Sequence, residues 1–371
     1  MRADVIEKLA GGMKSQGLDA LLIVSPENFA YVTGFVVPSQ PLMRWRHVAY
    51  VITADGRQAA MCVDMEESTV RRELPDIDLR IWGEFTDDPM AVLGDLLTDL
   101  GLDHARIGTE LDYFPAGDFL RLQANLSHAK LQGAEAFLAR ARQFKTANEI
   151  ELMHTISRIS DRSILQAFQA VHEGSSEMDI AGALTRSVFE LGGDNFKLMI
   201  VATGERSMLP NVGPSDRLLR SGDICRVEIF AMKQGYHAGV CRTAFVGKPP
   251  EHAENIWKNL DECKHIVLDM IKPGASSRAI YEAFIKHLSK LNLPPIKFVG
   301  HGIGLHLHED PYLGMYSDVP LEEGMVLGIE PLVYNTGYGF GMQNKDIVAV
   351  TATGAKLLSD YTDTTKLIPI L

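Results

Sequence analysis

A pair of histidines in the C-terminal half of the chain is well suited to acid–base chemistry. His301 and His308 stand seven positions apart in the glycine-rich segment GHGIGLHLHEDPYL. Two imidazoles beside carboxylates in a cleft usually serve as a general acid, a general base or a hydrogen-bond donor. His306 lies on the opposite side of the strand alternation and is expected to be exposed or packed. We therefore predict that His301 or His308 transfers the proton in a catalytic site.

Two glutamates stand in apolar segments that predict buried strands. Glu330 lies in GIEPLVY, directly before Pro331, and Glu228 lies in CRVEIFAM. A charged residue in such a segment is rarely buried without a partner. Both glutamates are therefore candidates to orient a cationic nitrogen group or an attacking water.

The elements that must position these residues follow from the spacing of apolar side chains. Helices and strands alternate in the N-terminal part, which predicts a small α/β domain, whereas they gather in groups in the C-terminal part, which predicts an α+β domain with an antiparallel sheet. We predict a boundary near residue 135, giving domains 1–135 and 136–371. The predicted N-terminal elements are helices 5–16 and 91–100 and strands 20–24, 48–53, 59–63 and 106–109. The predicted C-terminal elements are helices 133–146, 149–171, 179–191, 253–271 and 277–291 and strands 198–203, 224–232, 236–246, 325–334 and 340–351.

Composition narrows the class of protein. The 371 residues carry a formal net charge of -12, which argues against nucleic acid as a partner because such proteins need clustered Lys and Arg. The four cysteines are widely spaced, as in reduced proteins, and no apolar run is long enough to cross a bilayer. We expect a soluble, cytoplasmic protein that acts on a small molecule and has no membrane partner.

Four segments resemble, in order and spacing, the pita-bread superfamily of aminopeptidase P, prolidase, methionine aminopeptidase and creatinase. They begin with RSGDICRVEIFAMKQGYHAGVCRT and GHGIGLHLHEDPYL, and continue with EEGMVLGIEPLVY and GFGMQNKDIVAVT. The segment LARARQFKTANEIELM is similar to the family's entry into its catalytic domain. The resemblance covers nearly the whole chain and implies a pita-bread catalytic domain, a creatinase/prolidase-type N-terminal domain and a homodimer.

The resemblance also implies five metal-ligand positions, which this chain fills poorly. Three positions keep a possible ligand: the first Asp becomes Glu228, and His301 and Glu330 are retained. The second Asp becomes Gly239, and the last Glu becomes Lys345. Because glycine has no side chain and lysine has only donors, we predict no bound metal and no cofactor.

Lys345 suggests how the site compensates for the missing metal charge. Its ammonium would stand near Glu228 and Glu330, whose burial without a counter-charge would be costly. We expect nitrogen-to-oxygen distances of about 2.7–3.2 Å, as in charge-assisted pairs. Creatinase, a relative without metal, still hydrolyses a C–N bond, so the loss of metal need not end activity.

Further residues are candidates for substrate binding. Asn211 stands where creatinase has its acid–base His, so that mechanism cannot be copied unchanged. In PLMRWRHVAYVI, Arg46 and the neighbouring Trp45 match a creatinase loop that crosses the dimer and offers an Arg to the substrate carboxylate; a solvated loop is the alternative. Tyr312 falls near the position of creatinase's other carboxylate-binding Arg.

Two residues of the predicted strand 236–246 complete the set of candidate substrate-binding residues. Cys241 is either a residue that lines the site or an inert buried thiol, and His237 is too far along an extended strand to act as its base.

The catalytic residues that we predict are therefore His301, His308, Glu330, Glu228 and Lys345. The predicted function is metal-independent hydrolysis of a C–N bond in a small, polar, amino-acid-like, guanidino or amidine substrate. Lys345 would hold the carboxylates apart or polarise the substrate. A metal-dependent Xaa-Pro dipeptidase or aminopeptidase and a non-catalytic binding protein are the alternatives.

Overall fold

The computed structural model describes residues 2–291 and 293–371. The chain forms two compact units, one ending at Arg142 and one running from Gln143 to Leu371. The predicted boundary lies near residue 135, where helix α6 (Glu135–Gln143) begins.

A six-stranded mixed sheet forms the first unit, with strand order β4-β3-β2-β1-β5-β6. Aliphatic side chains such as Leu22, Val51 and Ile107 are fully buried around it. The strands are β1 Ala20–Ile23, β2 Ala49–Thr53, β3 Gln58–Val63, β4 Asp78–Trp82, β5 Arg106–Thr109 and β6 Lys130–Gly133. The helices are α1 Ala3–Gln16, α2 Pro26–Thr33, α3 Glu67–Glu73, α4 Pro89–Asp99, α5 Ala116–Asn125 and α6, together with a 3-10 turn at Asp64–Glu66.

The second unit has four long helices and sheets of five, four and two strands, with orders β11-β10-β12-β15-β16, β17-β9-β8-β7 and β13-β14. The helices are α7 Ala147–Gln169, α8 Glu177–Glu190, α9 Ala253–Met270 and α10 Ser277–Lys290, with a 3-10 turn at Gly204–Met208. The strands of the first group are β7 Asn195–Thr203, β8 Ile224–Lys233, β9 Tyr236–Val246 and β17 Ile368–Ile370. The remaining strands are β10 Phe298–Gly302, β11 Glu309–Gly314, β12 Val326–Ile329, β13 Leu332–Val333, β14 Met342–Gln343, β15 Asp346–Thr351 and β16 Gly354–Leu357. The predicted α+β class is confirmed.

Helix α7 supports the strand pair β8–β9. It begins with a capping box in which the Thr146 side chain accepts from the amide of Glu149 and the Glu149 carboxylate accepts in return. Ser160, the small polar residue on its apolar face, donates to the carbonyl of Ala238 at 2.7 Å and accepts from the amide of Ala231 at 3.2 Å. These bonds fix the helix against both strands.

Two predicted strands are interrupted at residues that the sequence singled out. The predicted strand 325–334 breaks between β12 and β13 at Glu330 and Pro331, because proline cannot donate to a strand ladder. The predicted strand 340–351 breaks between β14 and β15 at Asn344 and Lys345. Glu330 and Lys345 therefore both lie at interruptions of the predicted strands.

No helix among residues 2–291 and 293–371 combines the length and the apolar character needed to span a bilayer.

Candidate active site

The centre of the candidate site is the ammonium group of Lys345. Its Nζ lies 3.0 Å from Oε1 of Glu228, 3.1 Å from Oε2 of Glu330 and 3.4 Å from Nε2 of His301. The two carboxylate distances lie in the predicted range for charge-assisted pairs. All four side chains are at least 95% buried. Lys345 thus contacts all three residues that occupy retained ligand positions.

The tautomer of His301 follows from its backbone contact. Its Nδ1 lies 2.8 Å from the carbonyl oxygen of Gly302, which can only accept, so Nδ1 carries the hydrogen and Nε2 is the acceptor. An ammonium group has three N–H donors, and Glu228, Glu330 and His301 use all three. These contacts favour the predicted role in which Lys345 holds the carboxylates apart; polarising a substrate would require one of these donors to be released.

The strand pair β8–β9 explains how Glu228 and Lys345 meet. Glu228 is in register with Cys241, and Cys241 exchanges both backbone hydrogen bonds with Lys345, at 3.3 Å each. The alternation of side chains along β8 places Arg226, Glu228 and Phe230 on one face. That face is directed at the site.

Phe230 fills the space beside the glycine that replaces the second family Asp. The two residues are in register, and a Cβ added to Gly239 would lie 2.2 Å from Cε1 and 2.4 Å from Cζ of the Phe230 ring. The same ring lies 4.6 Å from Nζ of Lys345, a cation–π distance. An aromatic ring and an ammonium group therefore occupy the region around these two positions.

The second histidine lies directly over the first. The rings of His301 and His308 are stacked with centroids 3.7 Å apart and planes at 9°. His301 is fully buried, whereas His308 is exposed and lines the cavity, with Nδ1 3.3 Å from the hydroxyl of Tyr312. His308 is thus the histidine of the pair that a substrate can reach.

Burial and charge set the protonation of these groups. Burial raises the pKa of Glu330, and the Lys345 charge counteracts this. Burial alone would lower the pKa of Lys345, but the carboxylates of Glu228 and Glu330 outweigh it, so this pKa is raised and the ammonium persists at neutral pH. Partial burial, followed by the nearby Lys345 charge, lowers the pKa of His308 to about 4. Burial, followed by the Lys345 charge, lowers the pKa of His301 well below its usual value.

A cavity of about 390 Å³ opens above this cluster. Its polar lining includes Asn211, His308 and Gln343 beside the charged cluster. Its apolar wall is formed by residues of several strands and loops: Leu198, Ile200, Pro210, Phe230, Ile296, Phe298 and Leu332. The volume suits a small molecule with one polar end and one apolar end.

Several residues of the candidate site were not predicted from the sequence. Gln343 donates from Nε2 to Oε2 of Glu330 at 3.1 Å and accepts from Nη1 of Arg226 at 3.1 Å. Tyr334 lines the cavity and lies under the Arg226 guanidinium. The alternation along β8 was the signal that could have identified Arg226 and Phe230.

Some predicted site residues lie away from the cavity lining. Cys241 is fully buried behind Glu228, and burial strongly raises the pKa of its thiol, so it fits the inert alternative. His237 is buried beside the backbone of Gly304, with its Nδ1 3.2 Å from that carbonyl oxygen. His237 lies near the start of β9 and does not line the cavity above the Lys345 cluster, so its role in substrate binding stays a prediction.

Arg46 and Trp45 lie in the first unit. The Arg46 guanidinium forms a bidentate ion pair with Glu84, at 2.8 and 2.9 Å. The Trp45 side chain is 63% exposed. The loop that crosses to a partner subunit stays a prediction.

Comparison with known proteins identifies the family. Residues 151–352 match metallopeptidase family M24, and residues 6–144 match the creatinase/prolidase N-terminal domain. The first match spans more than half of the chain, so the protein belongs to metallopeptidase family M24. The predicted pita-bread fold with a creatinase-type N-terminal domain is confirmed, and the protein is a hydrolase of the group that acts on C–N bonds.

Similar proteins extend over the whole chain. An Xaa-Pro dipeptidase from Pyrococcus furiosus is 28% identical over 358 residues, covering 95% of this chain and 97% of the relative. An uncharacterized peptidase from Bacillus subtilis is 27% identical over 360 residues, with 95% and 97% coverage. A solved dipeptidase structure from Pyrococcus horikoshii has a TM-score of 0.85 at 24% identity, covering 98% of this chain and 99% of that one.

The family implies bound metal, but the side chains of this site do not fit the family's metal pair. A dinuclear centre needs several converging carboxylate and imidazole ligands. Here Gly239 supplies none, the Phe230 ring fills the adjacent space, and the Lys345 ammonium is bonded to the three remaining candidates. Within residues 2–291 and 293–371, no group of three or more His, Cys, Asp or Glu side chains is placed to hold a metal ion.

Proposed function

We propose that this protein hydrolyses the C–N bond of a small, dipeptide-like molecule without using the family's two metal ions. The observation that carries the proposal is the Lys345 ammonium, bonded to Glu228, Glu330 and His301 at the centre of the cavity floor. A permanent cation at this point would take the place of a metal's charge between the two carboxylates. The proposal thus keeps the family's reaction class and changes how the site is held together.

The names of the similar proteins support a peptide substrate. Several of them are named Xaa-Pro dipeptidases, which favours that alternative over the guanidino and amidine substrates that the sequence suggested. The apolar wall of the cavity supports the same choice, since a prolyl ring or an aliphatic side chain can bury apolar surface there. Guanidino acids are mostly polar and would gain little from this wall.

The proposed chemistry assigns the proton to His308. Its neutral imidazole removes a proton from a water molecule as the water oxygen bonds to the carbonyl carbon of the substrate. The C–N bond then breaks, and His308 returns the proton to the leaving nitrogen. The paired carboxylates Glu228 and Glu330 orient the water or the substrate amine by accepting hydrogen bonds. His301 cannot take this role, because it is enclosed by His308, Gly302 and Lys345.

A substrate panel and metal analysis test the proposal together. Purified protein would be assayed with Xaa-Pro dipeptides, other dipeptides, guanidino acids and cyclic amidines, in chelator and with added manganese, cobalt or zinc. We expect turnover of at least one dipeptide in the presence of chelator. We also expect less than about 0.1 metal ion per chain. The His308→Ala variant should lose this turnover, and His306→Ala serves as the matched control.

A metal-dependent Xaa-Pro dipeptidase is the second candidate, favoured by the match to a metallopeptidase family and by relatives named Xaa-Pro dipeptidases. Stoichiometric metal, together with activity that chelator removes and manganese or cobalt restores, would establish it and overturn our proposal. Binding of a dipeptide, seen as a rise in Tm, without turnover of any compound would instead indicate a binding protein.

A further inference from the structure

Arg226 is a fully buried cation on β8, two residues before Glu228. Its Nε donates to the carbonyl of Ser207 at 3.1 Å, and Nη2 donates to the carbonyls of Leu209 and Pro210. Its guanidinium carbon lies 5.3 Å from the ring centroid of Tyr334. Among the described residues, no carboxylate oxygen lies within 4.0 Å of its nitrogens, in contrast to the buried Arg242, which pairs with two aspartates.

A buried guanidinium that pairs with carbonyl groups alone is an expensive choice for a purely structural position. A neutral side chain of similar volume avoids the desolvation cost, and such replacements are often neutral or stabilising. The position therefore calls for a role that needs the charge or the geometry of arginine. Its contacts lead in two directions, to the loop after the 3-10 turn Gly204–Met208 and to the amide of Gln343.

The first direction reaches the wall of the cavity. The carbonyls of Ser207, Leu209 and Pro210 all accept from Arg226, and Pro210 and Asn211 line the cavity. Three bonds to one planar group fix the path of this exposed loop. The position of the Asn211 side chain therefore depends on Arg226.

The second direction reaches Glu330 through the orientation of an amide. Arg226 can only donate, so it selects the oxygen of Gln343 as its partner at 3.1 Å. The nitrogen of Gln343 must then face Oε2 of Glu330, where it donates at 3.1 Å. Without the guanidinium, Gln343 is free to flip and to present its oxygen to the carboxylate, and its hydrogen bond to Glu330 is then lost.

We propose that Arg226 is a positioning residue that fixes both the loop carrying Asn211 and the amide orientation of Gln343, so that Gln343 donates to Glu330 at the floor of the cavity. The reaction-related part of this inference rests on the proposed function, whereas its structural part does not.

The test compares Arg226→Met, Arg226→Lys, Gln343→Leu and the double variant Arg226→Met/Gln343→Leu. Hydrogen exchange of the amides in 204–212 reports on the loop and needs no substrate. The side-chain amide resonances of Gln343, identified by their absence in Gln343→Leu, report on its hydrogen bond to Glu330. We expect at least tenfold faster exchange of the loop amides and of the Gln343 side-chain amide in Arg226→Met, and partial rescue of both by Arg226→Lys.

The double variant separates the two directions. If Arg226 holds the loop directly, loop exchange rises as much when Arg226→Met is added to Gln343→Leu as when it is made alone. With a dipeptide that is turned over, kcat falls at least tenfold in Arg226→Met and is partly restored in Arg226→Lys. Unchanged exchange of the loop and of the Gln343 amide, with only a lower Tm, would overturn the inference. A failure of the whole substrate panel would count against the proposed function and leave the exchange results as the test of Arg226.

Discussion

Replacement of Lys345 by methionine removes the cation and nearly preserves the side-chain volume. In the protein as it stands, this ammonium is the counter-charge for Glu228 and Glu330, at 3.0 and 3.1 Å, and all three groups are almost completely buried. The variant leaves two carboxylates facing each other. We expect one of them to take up a proton and the free energy of unfolding to fall.

Two estimates of the loss agree. Removing one partner of a buried ion pair costs about 3–5 kcal/mol. Proton uptake sets an independent ceiling: a Glu with an unfolded pKa of about 4.3 is protonated at pH 7 at a cost of about 4 kcal/mol, since each pH unit contributes about 1.4 kcal/mol. The variant should therefore lose about 4 kcal/mol at pH 7. Because the folded-state pKa of the protonated Glu is raised, the folded state holds more protons than the unfolded state, so stability falls as pH rises. At pH 5 the loss should shrink to about 1 kcal/mol.

Urea denaturation of the parent and the variant at pH 5 and pH 7 measures this difference. The matched control is Lys356→Met, at an exposed position on β16, which should change stability by no more than about 0.5 kcal/mol at either pH. A loss for Lys345→Met that is below about 1 kcal/mol at pH 7, or that does not depend on pH, would refute the charge-replacement argument.

Three further predictions follow from the site. If His308 is the base, its variant His308→Ala should lose about 10²–10⁴-fold in kcat, and the parent rate should fall only as pH drops through the His308 pKa of about 4; a rate that persists in the variant contradicts this. If Arg46 crosses a dimer interface, mixing inactive Arg46→Ala and His308→Ala proteins should restore part of the activity, because one site of the mixed dimer is complete. No recovery on mixing would contradict this prediction. Metal titration calorimetry should detect no tight site in Gly239→Asp/Lys345→Glu, but a micromolar site once Phe230→Ala is added; tight metal binding by the double variant would show that the ring is no obstacle.

The regular part of the fold was predictable because its elements have long, periodic apolar patterns. The long helix α7 and the strand pair β8–β9 have one buried face each, so their spacing identified them. Helix α2 was missed because seven of its eight residues are buried and it shows no polar face, although Ser25 before Pro26 is a typical helix start.

The candidate site was predictable to the extent that a motif or a strand alternation specifies it. Glu228, His301, Glu330 and Lys345 were found from their positions in four glycine-rich segments, and the structure brings them together. Gln343 could not be assigned, because its contacts join residues that are 13 and 117 positions away. Cys241 and His237 were included because sequence spacing alone does not tell which side of a strand reaches the cavity.

The close packing of the Phe230 ring against Gly239 limits which substitutions the site can accept one at a time. A carboxylate at 239 introduced alone would collide with the ring and would stand near two buried acids that share a single ammonium. A glutamate at 345 introduced alone would remove the ammonium that Glu228 and Glu330 share and leave three acids side by side. A smaller residue at 230 introduced alone would open a void and remove the ring from beneath Lys345. Each single replacement toward the family's metal ligands is therefore unfavourable by itself, so only a combined replacement would build the family's ligand set at this site.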